Sequence, residues 1–335
     1  MDRTTAEKEW LRRISGGKPA APQGKPTSDQ TSDQSSSKSR PRPKPQPTAK
    51  KHGNGFGDIA GMEDLKQRVK EGFINVLQHR DLADAYGIRP PSMLFYGPAG
   101  CGKTFFAEKM AEEVGIHFIK VVPDDLASTM VHGTQEKIGE VFKNAERHAP
   151  ALLFFDEFDA MVPRRTGNEY NQHYDSEVNE FLCMLNHASD KGVYVLAATN
   201  HPECIDKAVL RTGRIDELVY VDMPDHEARK SLFALELAKL PREEDIDMDR
   251  LAHLTQGFNC SDINYIVKSA ARKKFNEAIG CGEHTLQNIT QKQLEEIISG
   301  RSPSVSSRDL REYQRVHREF SPKDRDGQPA SIGFR

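Results

Sequence analysis

The sequence predicts an α/β fold, a largely parallel sheet covered by helices on both faces, followed by a smaller all-helical domain. Three observations predict it. Short apolar runs suited to buried strands alternate with helix-compatible stretches from about Phe56 to about Asp225. A glycine-rich octapeptide joins one of these runs to the next helix. Beyond Asp225 the pattern becomes helical only.

The first 55 residues read differently. Residues 6–14 place Trp10, Leu11 and Ile14 on one side of a short helix whose other side carries Glu7, Arg12 and Arg13. Nine residues are marginal as a lone helix, so the segment reads equally as a docking element that folds on a partner and as a fluctuating end. From Gly16 to Gly55 there are eight basic residues (Lys18, Lys25, Lys38, Arg40, Arg42, Lys44, Lys50 and Lys51) against Asp29 and Asp33, among many Pro, Ser, Gln and Gly. Such a stretch buries too little apolar surface to offset its ordering entropy, and a disordered linker is expected. Because the whole chain carries −3, the remainder is acidic. That balance argues against nucleic acid as the partner of the folded body.

The body divides into an α/β part over residues 56–224, a helical part over 225–300, a C-terminal helix over 301–320 and a tail over 321–335. Leu65, Val69, Phe73 and Leu77 form the stripe of an amphipathic helix. Strands are expected at Met93–Tyr96, His117–Val121, Ala151–Phe155, Val193–Ala197 and Leu218–Val221. Helices are expected at Phe105–Val114, His226–Lys239, Asp249–Leu254, Cys260–Ile279 and Gln291–Ile298. Ser306 and Asp309 suit the N-cap of the last helix.

The chemistry sits at the ends of the apolar runs. Gly97-Pro98-Ala99-Gly100-Cys101-Gly102-Lys103-Thr104 reads G-x-x-x-x-G-K-T between a strand and a helix, the pattern of a phosphate-binding loop. Its backbone N–H groups cradle a polyphosphate, Lys103 faces the β- and γ-phosphates, and the Thr104 hydroxyl ligates Mg²⁺. Such a P-loop binds ATP or GTP. Asp156-Glu157 follows the run Ala151–Phe155, at the strand end where open α/β sheets bind ligands. Asp156 suits the metal shell, and Glu157 suits the base that takes a proton from the attacking water. The five cysteines are scattered with no C-x-x-C pair, which points away from zinc and disulfides and towards a reducing, cytoplasmic setting. Cys101, inside the loop, reads as a packing residue. The polar N-terminus and the lack of a long apolar run give no sign of a signal peptide or a membrane span.

Three further segments carry a resemblance. Phe56-Gly57-Asp58-Ile59-Ala60-Gly61-Met62-Glu63, Ala198-Thr199-Asn200-His201-Pro202 and Ile205 to Asp216, together with the phosphate loop, resemble the ATPase module of AAA proteins over roughly Phe56–Phe320. The resemblance implies ATP with Mg²⁺, and Asp58, Ile59, Ala60 and Gly61 near the adenine, with Phe105 beside the loop. It implies Asn200 as the polar sensor of the attacking water. Arg211 and Arg214 become fingers that reach the nucleotide of a neighbouring subunit, and Gly257 and Ser261 belong to the lid motif beside adenine and ribose. It also implies a homo-oligomer, a ring hexamer, that grips a protein client with pore loops. The first loop corresponds to Met130, Val131, His132 and Gly133, and the second would carry Tyr170, His173 and Tyr174. The chain departs from the family at Val131, where an aromatic residue is usual, and it lacks the arginine pair that often follows the second loop.

The expected function is ATP-driven protein remodelling by a single ring. A nucleic-acid motor or loader and a nucleotide-dependent scaffold are the alternatives. The acidic body weighs against the first, and the intact set of Lys103, Asp156, Glu157, Asn200 and Arg211 against the second. An adaptor or client docking on residues 6–14 completes the expectation.

Overall fold

The computed structural model of the protein describes residues 53–126, 133–164, 181–211, 213–280 and 286–320, the side chains of 133–135 and 280 excepted. Five strands form one sheet, β1 (Met93–Tyr96), β2 (His117–Val121), β3 (Ala151–Phe155), β4 (Val193–Thr199) and β5 (Glu217–Tyr220), in the order β2-β3-β4-β1-β5. Every pairing is parallel. β1, β3 and β4 are buried along their whole length, which is why their sequences are continuous apolar runs rather than alternations.

Helices cover both faces. On one face α1 (Glu63–Val69) and α2 (Lys103–Val114) pack with Val69, Phe73, Phe95, Phe106, Met110 and Phe154. The stripe Leu65, Val69, Phe73 and Leu77 lies in this layer as expected, although a π-helical turn, Lys70–Ile74, interrupts the helix. On the other face α3 (Gly133–Arg147) and the helix at 181–188 close over β3 and β4. There Phe155 and Phe181 meet edge to face with ring centroids 5.0 Å apart. Truncating such a buried Phe costs about 3–5 kcal/mol.

A third apolar cluster joins α4 (His226–Leu237), α5 (Met248–Leu254), α6 (Cys260–Gly280) and α7 (Gln291–Ser299) through Phe233, Leu251, Ile263, Ile266 and Leu294. The last helix, α8 (Ser307–Phe320), begins with the expected cap: Asp309 N–H donates to Ser306 Oγ at 3.1 Å while Ser306 Oγ donates to the Asp309 carboxylate at 2.7 Å. It returns to the sheet, where His317 stacks on Tyr220 at 4.1 Å and its Nδ1 lies 2.9 Å from Tyr96 Oη. Among the described residues no helix is long and apolar enough to cross a membrane.

Candidate active site

Because β3, β4 and β1 are parallel neighbours, their carboxyl ends open side by side. β1 leads into the phosphate loop, β3 into Asp156 and Glu157, and β4 into Asn200. Three segments far apart in sequence therefore meet at one sheet edge.

The loop needs its glycines. Gly97 has φ 141°, and a Cβ there would stand 2.3 Å from the Val221 carbonyl oxygen. Gly100 has φ 75°, and a Cβ would stand 2.5 Å from Asn259 Nδ2. Cys101 is fully buried beside Met223, its Sγ 3.5 Å from the thioether. Burial pushes its thiol up to about 12, so it stays protonated and packs, as the sequence suggested.

The Lys103 ammonium has three donors and finds an acceptor for each. It donates to the carbonyls of Gly97 and Pro98 and to Asn200 Oδ1, each at 2.8 Å. Burial lowers its pKa to about 8, since the charged form is poorly solvated there. Thr104 Oγ1 donates to Asp156 Oδ2 at 3.0 Å. Asp156 Oδ1 accepts from the Glu157 N–H at 3.2 Å. Glu157 itself is exposed and adopts φ 50°, ψ 47°, an uncommon conformation for a residue with a Cβ. The hydroxyl and carboxylate oxygens of Thr104 and Asp156 are hard donors of the kind Mg²⁺ takes, and a glycine-rich strand-to-helix loop with a lysine ammonium within it is of the kind that cradles phosphates, so the residues fit both groups.

The helical part bonds to the same loop. Asn259 caps α6 in a reciprocal box, its Oδ1 accepting from Asp262 N–H at 2.8 Å while Asp262 Oδ2 accepts from Asn259 N–H at 3.3 Å. This frees Asn259 Nδ2 to donate to the Ala99 carbonyl at 3.0 Å. The Ser261 N–H donates to the Gly100 carbonyl at 3.1 Å. Fully buried Asp262 is in turn held by Arg301 at 2.8 Å and by Ser304 N–H at 3.0 Å, and these partners, opposing its burial, keep its carboxyl below the usual range.

A comparison with protein families matches residues 93–223 to the ATPase family associated with various cellular activities (AAA). The chain belongs to the AAA ATPase family. It is 33% identical over 273 residues to a cell division cycle protein 48 homolog of Archaeoglobus fulgidus, covering 78% of this chain and 37% of the relative. It is 34% identical over 241 residues to a putative cell division cycle ATPase of Plasmodium falciparum, covering 71% of this chain and 19% of the relative. The chain thus spans well under half the length of these two relatives.

The other residues of the AAA reading are placed as follows. Asp58 pairs with Lys109 at 2.9 Å, which holds its carboxyl below the usual range. The Ile59 carbonyl accepts from Lys66 at 2.8 Å, and Gly61 lies directly against Ala228 of α4. Ala60 packs on the third apolar cluster. Phe105 is exposed, one residue past the loop, and Gly257 turns the chain towards α6 with φ 81°. Arg211 is exposed, whereas Arg214 donates to the Ala208 carbonyl at 2.6 Å within its own turn. Met130, Val131, His132, Tyr170, His173, Tyr174 and residues 6–14 lie outside the described residues, and Gly133 opens α3. The four described cysteines are unpaired.

Sequence reasoning missed Lys120, Asn259 and Arg301 at this site. Asn259 and Asp262 carried a faint signal, an amide and a carboxylate three residues apart before an apolar helix. Lys120, which lies 2.8 Å from Asp156, carried none beyond a charge inside a strand.

Proposed function

We propose that the chain is the motor of a homo-oligomeric AAA ring that couples ATP hydrolysis to the remodelling of protein clients. One observation carries the reading: Lys103, Thr104, Asp156, Glu157 and Asn200 converge at one sheet edge while the helical part bonds to the same loop. Bound Mg²⁺ would neutralise charge on the β- and γ-phosphates. Lys103 would exchange loop carbonyls for phosphate oxygens, and Thr104 and Asp156 would hold the ion. Glu157 would take the proton of the attacking water, and Asn200, released by Lys103, would orient that water. Any displacement of the loop is passed to α6 through Ala99 and Gly100, which supports coupling between nucleotide state and lid position.

Arg211 and Arg214 follow the buried turn at Val209, and we assign them to a neighbour's nucleotide. A finger supplied in trans contributes on the order of 10³–10⁵ in turnover. We further propose a boundary between α/β and helical parts at 224/225, a hexameric ring, a cytoplasmic setting and gripping of the client by the two pore loops. Concentration tests the assembly: ATPase activity per subunit should rise with protein concentration, and Arg211→Ala subunits should poison mixed rings. Activity per subunit that stays flat down to a demonstrably monomeric concentration contradicts the ring.

A further inference from the structure

β2 is an edge strand, and Phe118 and Lys120 share the face on which Phe118 packs against the α2 layer. Phe118 stacks on Phe154 with ring centroids 5.7 Å apart, and this fixes the strand against β3. Two residues on, Lys120 Nζ lies 2.8 Å from Asp156 Oδ2, the same oxygen that accepts from Thr104. The Lys120 side chain keeps 42% of its exposure and the Asp156 side chain 21%. The head group therefore sits at the rim, able to swing into solvent.

We propose that Lys120 is a resident counter-cation of Asp156 that a divalent ion must displace, so that it sets the metal concentration the site requires. The inference rests on the nucleotide-site reading above. Asp156 Oδ2 cannot accept a lysine at 2.8 Å and join a metal shell at the same time, because two cations on one oxygen repel each other strongly. An ion pair of this exposure is weak, so displacement is easy and its effect on metal affinity is about two- to fivefold. Lys103 is not part of this exchange, since its three hydrogen bonds go to the loop and Asn200.

The test is Mn²⁺ binding to the full chain saturated with ADP, followed by electron paramagnetic resonance, with Mg²⁺ as competitor. Lys120→Met should tighten Mn²⁺ about two- to fivefold, and Lys120→Arg should stay within about twofold of wild type. ADP affinity in EDTA should be equal in all three proteins, which also reports a folded site. Unchanged or weaker Mn²⁺ binding in Lys120→Met, with ADP binding intact, overturns the role of Lys120. Wild-type protein that binds neither ADP nor the Mn²⁺ complex overturns the nucleotide-site reading as well.

Discussion

On the sheet side the phosphate loop is held by charge and chemistry: Lys103 against Asn200, and Thr104 against Asp156. On the side of the helical part it is held by neutral hydrogen bonds to backbone carbonyls, from Asn259 to Ala99 and from the Ser261 N–H to Gly100. Both sides grip the same loop, at different residues. The first set provides groups that a nucleotide would recruit, whereas the second only reports where the loop stands. Substitutions on the two sides should therefore fail in different ways.

The sharpest contrast is expected at Glu157. Glu157→Gln should lower turnover on the order of 10²–10⁴-fold while ATP affinity stays near wild type, as measured by single-turnover hydrolysis beside equilibrium binding. Near-normal turnover would remove the chemical role from the sheet side. Asn259→Ala should do the reverse. It loses a buried cap and one bond to the loop, about 1–2 kcal/mol of unfolding free energy in denaturant titrations, with single-turnover chemistry changed by only a few-fold. A loss of chemistry as large as that of Glu157→Gln would mean that the two sides are not separable.

A smaller effect comes from α8. Burial pulls the His317 imidazole below its ordinary pKa of 6.5, opposed by Asp222, while Tyr96 and Tyr220 flank the ring. A depressed folded-state pKa means that its contribution to stability is complete above 6.5 and is lost as pH falls through the folded-state value. Mildly acidic buffer should thus loosen α8 and raise its proteolysis, and His317→Phe should remove most of that pH dependence.

The contrast between the two sides also marks what the sequence revealed. β1 and β3 have the bounds that their apolar runs indicated, because a strand buried on both faces has no other composition open to it, and the partly exposed edge strand β2 also has its indicated bounds. β4 runs two residues further, to Thr199, since Ala198 and Thr199 still pair with Phe95 and Tyr96. β5 starts one residue earlier, where Glu217 faces Met93 and bonds Arg68 at 3.2 Å. α2 begins at Lys103 rather than Phe105, because Gly102 in a left-handed conformation already turns the chain into the helix. α4 ends at Leu237, two residues short of its expected end at Lys239. Lys103, Thr104 and Asp156 stood out in the sequence because phosphate chemistry demands particular residue types at fixed spacing, whereas Asn200 was named only through the family resemblance. Asn259, Arg301 and Lys120 act through partners 160, 39 and 36 positions away, and periodicity names a face, not the neighbour it meets.

The central claim, that this loop binds nucleotide through Lys103, is tested most directly by calorimetric titration of ATP with Mg²⁺ into wild type and Lys103→Ala of matched circular dichroism. Measurable binding to wild type is expected, with a loss of at least about a hundredfold in the variant, since a buried charge facing the phosphates is removed. Equal affinity in the two proteins would contradict it.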